Sequence, residues 1–328
     1  MTWKPRATRQ TAKLRAALLK CTRRYFEQKD ILEVATPALV QHAVTDPSID
    51  SVSLSLNDRT TWLHTSPEHC MKRLLAAGFP DIYSIGPVFR AGELSPHHLP
   101  EFTMIEWYRI GFGLREIVND ALSLASELMS DAITEKASIV EYRDIFTAVL
   151  SLDPLTAAAG NIADALDADE SLRSAVGEDR DAWLDLAMVA RICPGFPKDR
   201  LTVVRHYPSS QAALARLCPA NHSVADRFEI YCGTVELANG FVELTDPDEL
   251  QARFERDRKK RITSGKPDIG IDEHFIDALR SGLPDCAGVA FGFDRMLMIA
   301  AGLDHIDDVV TFTPGPATPP RTPDSSFH

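Results

Sequence analysis

The sequence predicts an α+β fold in which an antiparallel sheet is flanked by helices. Three observations lead there. Strand and helix patterns are mixed without a regular strand–helix–strand period, which disfavours a doubly wound parallel sheet. Two strand-like runs, Ile82 to Arg90 and Glu101 to Ile110, are joined by a polar loop from Ala91 to Pro100 and pair most simply antiparallel. A second pair, Arg227 to Tyr231 and Thr234 to Leu244, flanks Cys232-Gly233 as a hairpin. The chain has 328 residues, 25% charged and 45% hydrophobic, an ordinary globular balance with enough length for a large core.

The elements follow in order. Residues 1–24 carry eight cations and no acid, while Leu14, Leu18, Cys21 and Tyr25 recur at helical spacing, predicting an amphipathic helix from about Thr8 to Lys29. Its basic face either packs on the body or docks a partner. Ile31-Leu32-Glu33-Val34 reads as a strand stopping before Pro37, at an edge or strand end, because proline offers the ladder no N–H. After a short strand at Trp62-Leu63-His64, Ser66 as N-cap and Pro67 at the first helical position start a helix through Met71, Leu74 and Leu75. Leu114 to about Ala190 is mostly helical, Leu201 to Tyr207 is a strand, and Ser209 to Leu217 is a helix. Asp246-Pro247-Asp248-Glu249 has capping-box spacing and opens a helix through Arg261, where Arg258-Lys259-Lys260-Arg261 meets the helix dipole favourably. Gly288-Val289-Ala290-Phe291-Gly292 is a strand feeding a helix from Phe293 to Ala301, and Pro314 to His328 has a disordered composition.

Several function classes are disfavoured. The formal charge is −12, which argues against general nucleic-acid binding. No run approaches the ~18 apolar residues of a membrane span, and the N-terminus lacks a signal's apolar stretch, so a cytoplasmic protein without a membrane role is expected. The cysteines form no Cys-x-x-Cys pair and have no nearby His at zinc spacing, and the glycines form no Walker loop or dinucleotide fingerprint.

What remains is a set of carboxylates and two arginines. If Cys232-Gly233 are the hairpin loop, Glu229 faces Glu236, and opposed carboxylates repel unless a cation such as Mg2+ lies between them. A solvated face or a shifted register is the alternative. Period two places Leu237, Asn239, Phe241 and Glu243 on one strand face, and Phe102, Met104, Glu106 and Tyr108 on another. Such faces suit a small cationic ligand, or else salt bridges to the chain's own arginines. Arg90 and Arg295, with Gly288 and Gly292 allowing close backbone approach, have the chemistry to clamp a nucleotide's phosphates.

These residues resemble a known family. Val88-Phe89-Arg90 followed by Pro100-Glu101-Phe102-Thr103-Met104-Ile105-Glu106-Trp107-Tyr108 resembles motif 2 of class II aminoacyl-tRNA synthetases of the lysyl type. Glu236 to Leu244 resembles their lysine-binding strand, Gly288 to Arg295 their motif 3, and the segment ending at Thr36-Pro37 their dimer-forming motif 1. The likeness runs from about residue 10 to residue 312 with the motifs in order. It implies one catalytic domain over residues 1–313, with a mainly helical segment at 113–200 and a tail at 314–328, and a homodimer. Motif 1 begins so early that no anticodon-binding domain is expected. Within the family the chain is similar to freestanding paralogues that attach lysine, preferably (R)-β-lysine, to a lysine side chain of translation elongation factor P. Thr65 to Glu68 and Met71 to Leu75 read like their substrate helix, and Ala290 stands where lysyl-tRNA synthetases have glycine.

Carried over position by position, the resemblance puts Ser66, Pro67, Glu68, Glu106, Tyr108, Asn239, Phe241, Glu243 and Ala290 around the amino acid. ATP would meet Arg90 at the α-phosphate and Arg295 at the γ-phosphate, with Ala91, Gly92, Glu93, His98, Glu236, Leu237 and Gly292 about the nucleotide and Glu229 and Glu236 on Mg2+. Two departures bear on the adenine. Gly92 displaces the motif 2 glutamate to Glu93, and Leu99 replaces the usual Asn, so His97, His98 or Glu93 would substitute. The implied activity is ATP-dependent lysine ligation to elongation factor P, with tRNA an unlikely acceptor. The alternatives are a minimal lysyl-tRNA synthetase and a non-catalytic amino-acid-binding paralogue.

Overall fold

The computed structural model describes residues 3–313, so the tail at 314–328, expected to be disordered, lies outside the described residues. Its centre is an eight-stranded sheet of β1 (Leu32–Glu33), β2 (Ile82–Phe89), β3 (Glu101–Ile110), β4 (Ser138–Glu141), β5 (Leu201–Arg205), β6 (Arg227–Cys232), β7 (Val235–Val242) and β8 (Cys286–Gly292). The spatial order is β1-β2-β3-β8-β7-β6-β5-β4, antiparallel throughout except for the parallel pairs β1/β2 and β4/β5 at the two ends. The expected antiparallel sheet is therefore present, and the short strand before Pro37 is an edge, as its proline implies.

Alternation along the strands gives the sheet two faces. Ile105, Trp107, Phe228, Ile230, Val289 and Phe291 pack on one side against α1 (Arg9–Gln28), α3 (Leu114–Leu128) and α6 (Phe293–Ala300). The other face receives α2 (Glu68–Ala76), α4 (Pro247–Thr263) and α5 (Glu273–Gly282) through Met71, Leu250 and Phe275, but only toward its β2 end. Toward the β4 end the same face is covered by the helical segment 142–193, through Tyr142, Phe146 and Trp183 packed with Val204 and Tyr231, so only the stretch between stays open. Three of the six basic residues of α1 are tied to the body, Arg15 to Asp294, Arg23 to Glu33 and Arg24 to Glu127, and Lys29, which caps its end, pairs with Asp120. No helix among the described residues is long and apolar enough to cross a membrane.

Three local expectations are corrected. Residues 209–217 are not a helix but a single turn at Ser209–Gln211; Ala213 turns left-handed (φ 48°), and Leu214 and Arg216 instead bond to Leu244 and Val242. Ser138–Glu141 is a strand within the segment read as helical, and the helix Glu273–Gly282 was not foreseen. The helix after Ser66 starts at Glu68, with Pro67 as its N-cap residue and the Ser66 hydroxyl accepting from the Glu68 N–H. Arg261 sits in the last turn of α4, as expected. It is buried and donates to the carbonyls of Asp46 and Ile49, pinning the loop that borders the open face.

Candidate active site

The register of the sheet carries the site. Ser84, Glu106, Ala290, Asn239 and Glu229 are consecutive partners on β2, β3, β8, β7 and β6, one straight row across five strands. The neighbouring row holds Tyr108, Gly288, Phe241 and Arg227. Residues from distant parts of the chain thus sit side by side at the ~4.8 Å strand spacing. Glycine at 288 is a requirement of this packing, since a Cβ there would lie 2.5 Å from the Tyr108 ring and 2.7 Å from Glu243 Oε1.

Over these rows opens a cavity of about 160 Å³ whose wall includes Ser66, Glu68, Glu106, Tyr108, Asn239, Phe241, Glu243 and Ala290, eight of the nine residues expected around the amino acid. Pro67, the ninth, caps α2 instead and accepts from the Met71 N–H. The carboxylates are held by donors from three elements. Glu106 accepts from Ser66 Oγ (2.6 Å) and Tyr108 Oη (2.7 Å). Lys72 Nζ lies 2.5 Å from Glu68 Oε1 and 2.5 Å from Glu243 Oε2. Arg90 also reaches this wall.

On its other side Arg90 stacks over Phe102 at 5.2 Å and approaches Glu93 at 3.7 Å, and its Nε is buried without a partner among the described residues. Arg295 donates to the carbonyls of His97 (3.2 Å) and Glu236 (3.0 Å). A narrow crevice beside Arg295 is lined by Glu93, His98, Phe102 and Gly292. Burial and the nearby Arg295 and Arg90 push His98 down to about 4, so its imidazole is neutral between two fixed cations. Gly92 adopts a left-handed turn (φ 79°) next to Ala91, whose N–H donates to Asp50. Leu99 is buried in the main apolar cluster, so at this position the chain packs a core residue.

The hairpin differs from expectation. Its turn is Gly233-Thr234, with Gly233 left-handed, so Cys232 pairs with Val235 and Tyr231 with Glu236. A bulge at Leu237 then places Glu229 opposite Asn239, not Glu236. The extra residue also moves Leu237 off the site face: its side chain is in the core, while its carbonyl faces Gly292. Glu236 takes the site face in its place. Glu229 accepts from Arg227 (2.6 Å), Tyr207 (2.6 Å) and Tyr231, whereas the field on Glu236 comes from Glu229 against Arg295, Arg90 and Arg227. An oxygen donor set of two carboxylates beside two arginines suits Mg2+ carried with a triphosphate, with Glu236 the less committed ligand. The one group of three or more His, Cys, Asp or Glu side chains with ligand spacing among the described residues, His206, Cys218 and Asp226, lies off the site. Its Asp226 is paired with Arg216 and its His206 with Glu141.

Burial raises Glu106 and Glu236 to about 7 each and Glu243 to about 8, with Glu68 adding to the first and Glu229 to the second. A carboxyl raised in the folded state stabilises the fold below its unfolded value and loses that contribution as pH rises through the folded value. The ligand-free protein is therefore expected to lose thermal stability between pH 6 and pH 8, and added diamino acid with MgATP to flatten that loss by supplying cations. Calorimetric midpoints that hold steady over this range would show that these carboxylates are already compensated.

Sequence reasoning missed three supports. Lys72 follows Glu68 by four residues, a spacing that puts both on one helix face. Arg227 precedes Glu229 by two on one strand face and donates to both Glu229 and Asn239 (3.2 Å). Tyr207 offered no local signal.

A sheet of this order carrying an arginine at a strand end, a second at a helix start and carboxylates between is the frame of an adenylate-forming synthetase core. Residues 1–315 match the family tRNA synthetases class II (D, K and N), and the chain belongs to that family. It is 40% identical over 317 residues to a protein of Avibacterium paragallinarum named elongation factor P–(R)-β-lysine ligase, covering 95% of this chain and 97% of that one. Proteins of the same name from Photorhabdus laumondii and Salmonella arizonae are 41% and 39% identical, again over 95% and 97% of the two chains.

Proposed function

We propose that this chain is an ATP-dependent ligase that activates lysine or (R)-β-lysine and transfers it to a lysine side chain of elongation factor P. The names of its relatives support the substrates, and the observation that carries the chemistry is a cavity that Arg90 shares with Glu68, Glu106 and Glu243, with Arg295 on a second crevice and both arginines acting on His98 and Glu236. In the first step a carboxylate oxygen of the amino acid attacks the α-phosphorus of ATP, and the bond to pyrophosphate breaks. The acceptor's neutral amine then attacks the carbonyl carbon of the adenylate, AMP leaves, and the amine sheds a proton. No enzyme nucleophile is needed. The chain's part is alignment of the reacting atoms and fixed positive charge at the phosphates.

In this reading Ser66, Glu68, Glu106, Tyr108, Asn239, Phe241, Glu243 and Ala290 hold the amino acid, and Arg90, Glu93, His98, Gly292 and Arg295 hold ATP. Mg2+, bound by Glu236 and Glu229, would offset phosphate charge. Exposed Leu32, Leu39, Leu54 and Leu56 on the motif 1 side support a homodimer, and an elongation-factor acceptor places the reaction in the cytoplasm. One catalytic domain would then span residues 1–313.

Incubation with ATP and labelled lysine or β-lysine, with elongation factor P and tRNA offered separately, is expected to label the protein acceptor. Label on tRNA alone would replace this reading by a minimal lysyl-tRNA synthetase.

A further inference from the structure

Lys72 is 1% exposed, a burial that an ammonium tolerates only when paired. Its partners are Glu68 on its own helix and Glu243 at the end of β7, and the Phe241 and Phe275 rings lie 5.2 and 5.9 Å from its Nζ. Burial pulls its pKa down, but Glu243 and Glu68 outweigh that and leave it above the ordinary value. Glu106 and Cys286 also lie in its field, and Tyr108 adjoins through its bond to Glu106. Two of the three carboxylates assigned to the amino acid are thus bridged by an ammonium of the protein itself. Three carboxyl groups against one ammonium give the inner cavity a formal charge of −2 when all are ionised, a state that a cationic ligand favours because burial has raised Glu106 to about 7 and Glu243 to about 8.

We propose that Lys72 is a positioning residue that anchors and aims Glu68 and Glu243 so that the cavity selects a ligand with two ammonium groups over one with a single ammonium. This deepens the diamino-acid reading of the site and rests on it. A ligand with one ammonium leaves a buried negative charge unmatched, which is costly in a desolvated cavity. Without Lys72, the buried Glu106 and Glu243 would be driven further toward the protonated form, and a protonated carboxyl no longer attracts the substrate as an anion.

The test compares Lys72→Met and Lys72→Arg with the parent chain in amino-acid-dependent ATP–pyrophosphate exchange, with norleucine as a one-ammonium competitor. The Met variant is expected to raise KM for the diamino acid about tenfold or more, with kcat within about threefold of the parent and KM for ATP unchanged. Norleucine should then compete better relative to the diamino acid, and the Arg variant, which keeps the charge, should stay within about threefold of the parent. An unchanged diamino-acid KM in the Met variant overturns the proposal. So does a joint loss of kcat and both KM values shared by the Arg variant, the signature of a merely structural lysine. Should the Met variant fail to fold, the Arg variant decides: a KM near the parent's supports the proposal, and one raised about tenfold overturns it. A parent inert towards every diamino acid would instead sink the site reading itself.

Discussion

Replacing Arg90 by alanine is expected to lower ATP–pyrophosphate exchange by at least about 10²-fold while leaving the protein folded. The structure separates the two effects. Arg90 follows the last residue of β2, and its backbone N–H bonds to Pro100 whatever the side chain. Its guanidinium lies against the Phe102 ring and 3.7 Å from Glu93, and its buried Nε has no partner among the described residues. Such a group contributes little to folding and is oriented for an anion that arrives later. In phosphoryl transfer, charge grows on oxygens that a fixed cation stabilises without reorganising. Arg295 differs, because its bonds to His97 and Glu236 also hold the motif 2 loop to the hairpin, so Arg295→Ala should cost both activity and loop order. Parent-level exchange in a folded Arg90→Ala variant would remove Arg90 from the phosphate site.

Much of this site was legible because strand faces obey a period of two. Glu106 and Tyr108, and Asn239, Phe241 and Glu243, fall on shared faces by counting alone, and the sheet register turns those faces into one cavity wall. Counting fails where an extra residue enters the ladder. The bulge at Leu237 was invisible because nothing local marks it; only the pairing of Tyr231 with Glu236 and of Ile230 with Ala238 creates it. The helix expected at 209–217 failed for a related reason. Its alanines favour a helix, but Arg253 binds the carbonyls of Ala213 and Ala215, and Arg216 pairs with Val242. Long-range backbone pairing outweighs a propensity of a few tenths of a kcal/mol per residue. Lys72 escaped notice because a lysine near a helix start reads as solvated until the fold closes over it.

Glu243→Gln is expected to raise KM for the diamino acid roughly 10²-fold, a loss of about 3 kcal/mol, with KM for ATP unchanged. The amide keeps the side chain's volume, so the close fit of Gly288, Tyr108 and residue 243 survives, and the backbone bond from residue 243 to Cys286 is untouched. Lys72 keeps Glu68, so its charge stays paired and the fold is retained. What disappears is one buried anion. Because burial already pushes the Glu243 carboxyl up to about 8, the parent pays for this anion as pH rises, and the variant should lose less stability than the parent between pH 6 and pH 8. Weaker substrate binding together with a flatter stability profile is the signature of a charge kept for recognition at the expense of the fold. A steep profile and an unchanged KM in the variant would mean that another carboxylate, with Glu106 the first candidate, meets the second ammonium.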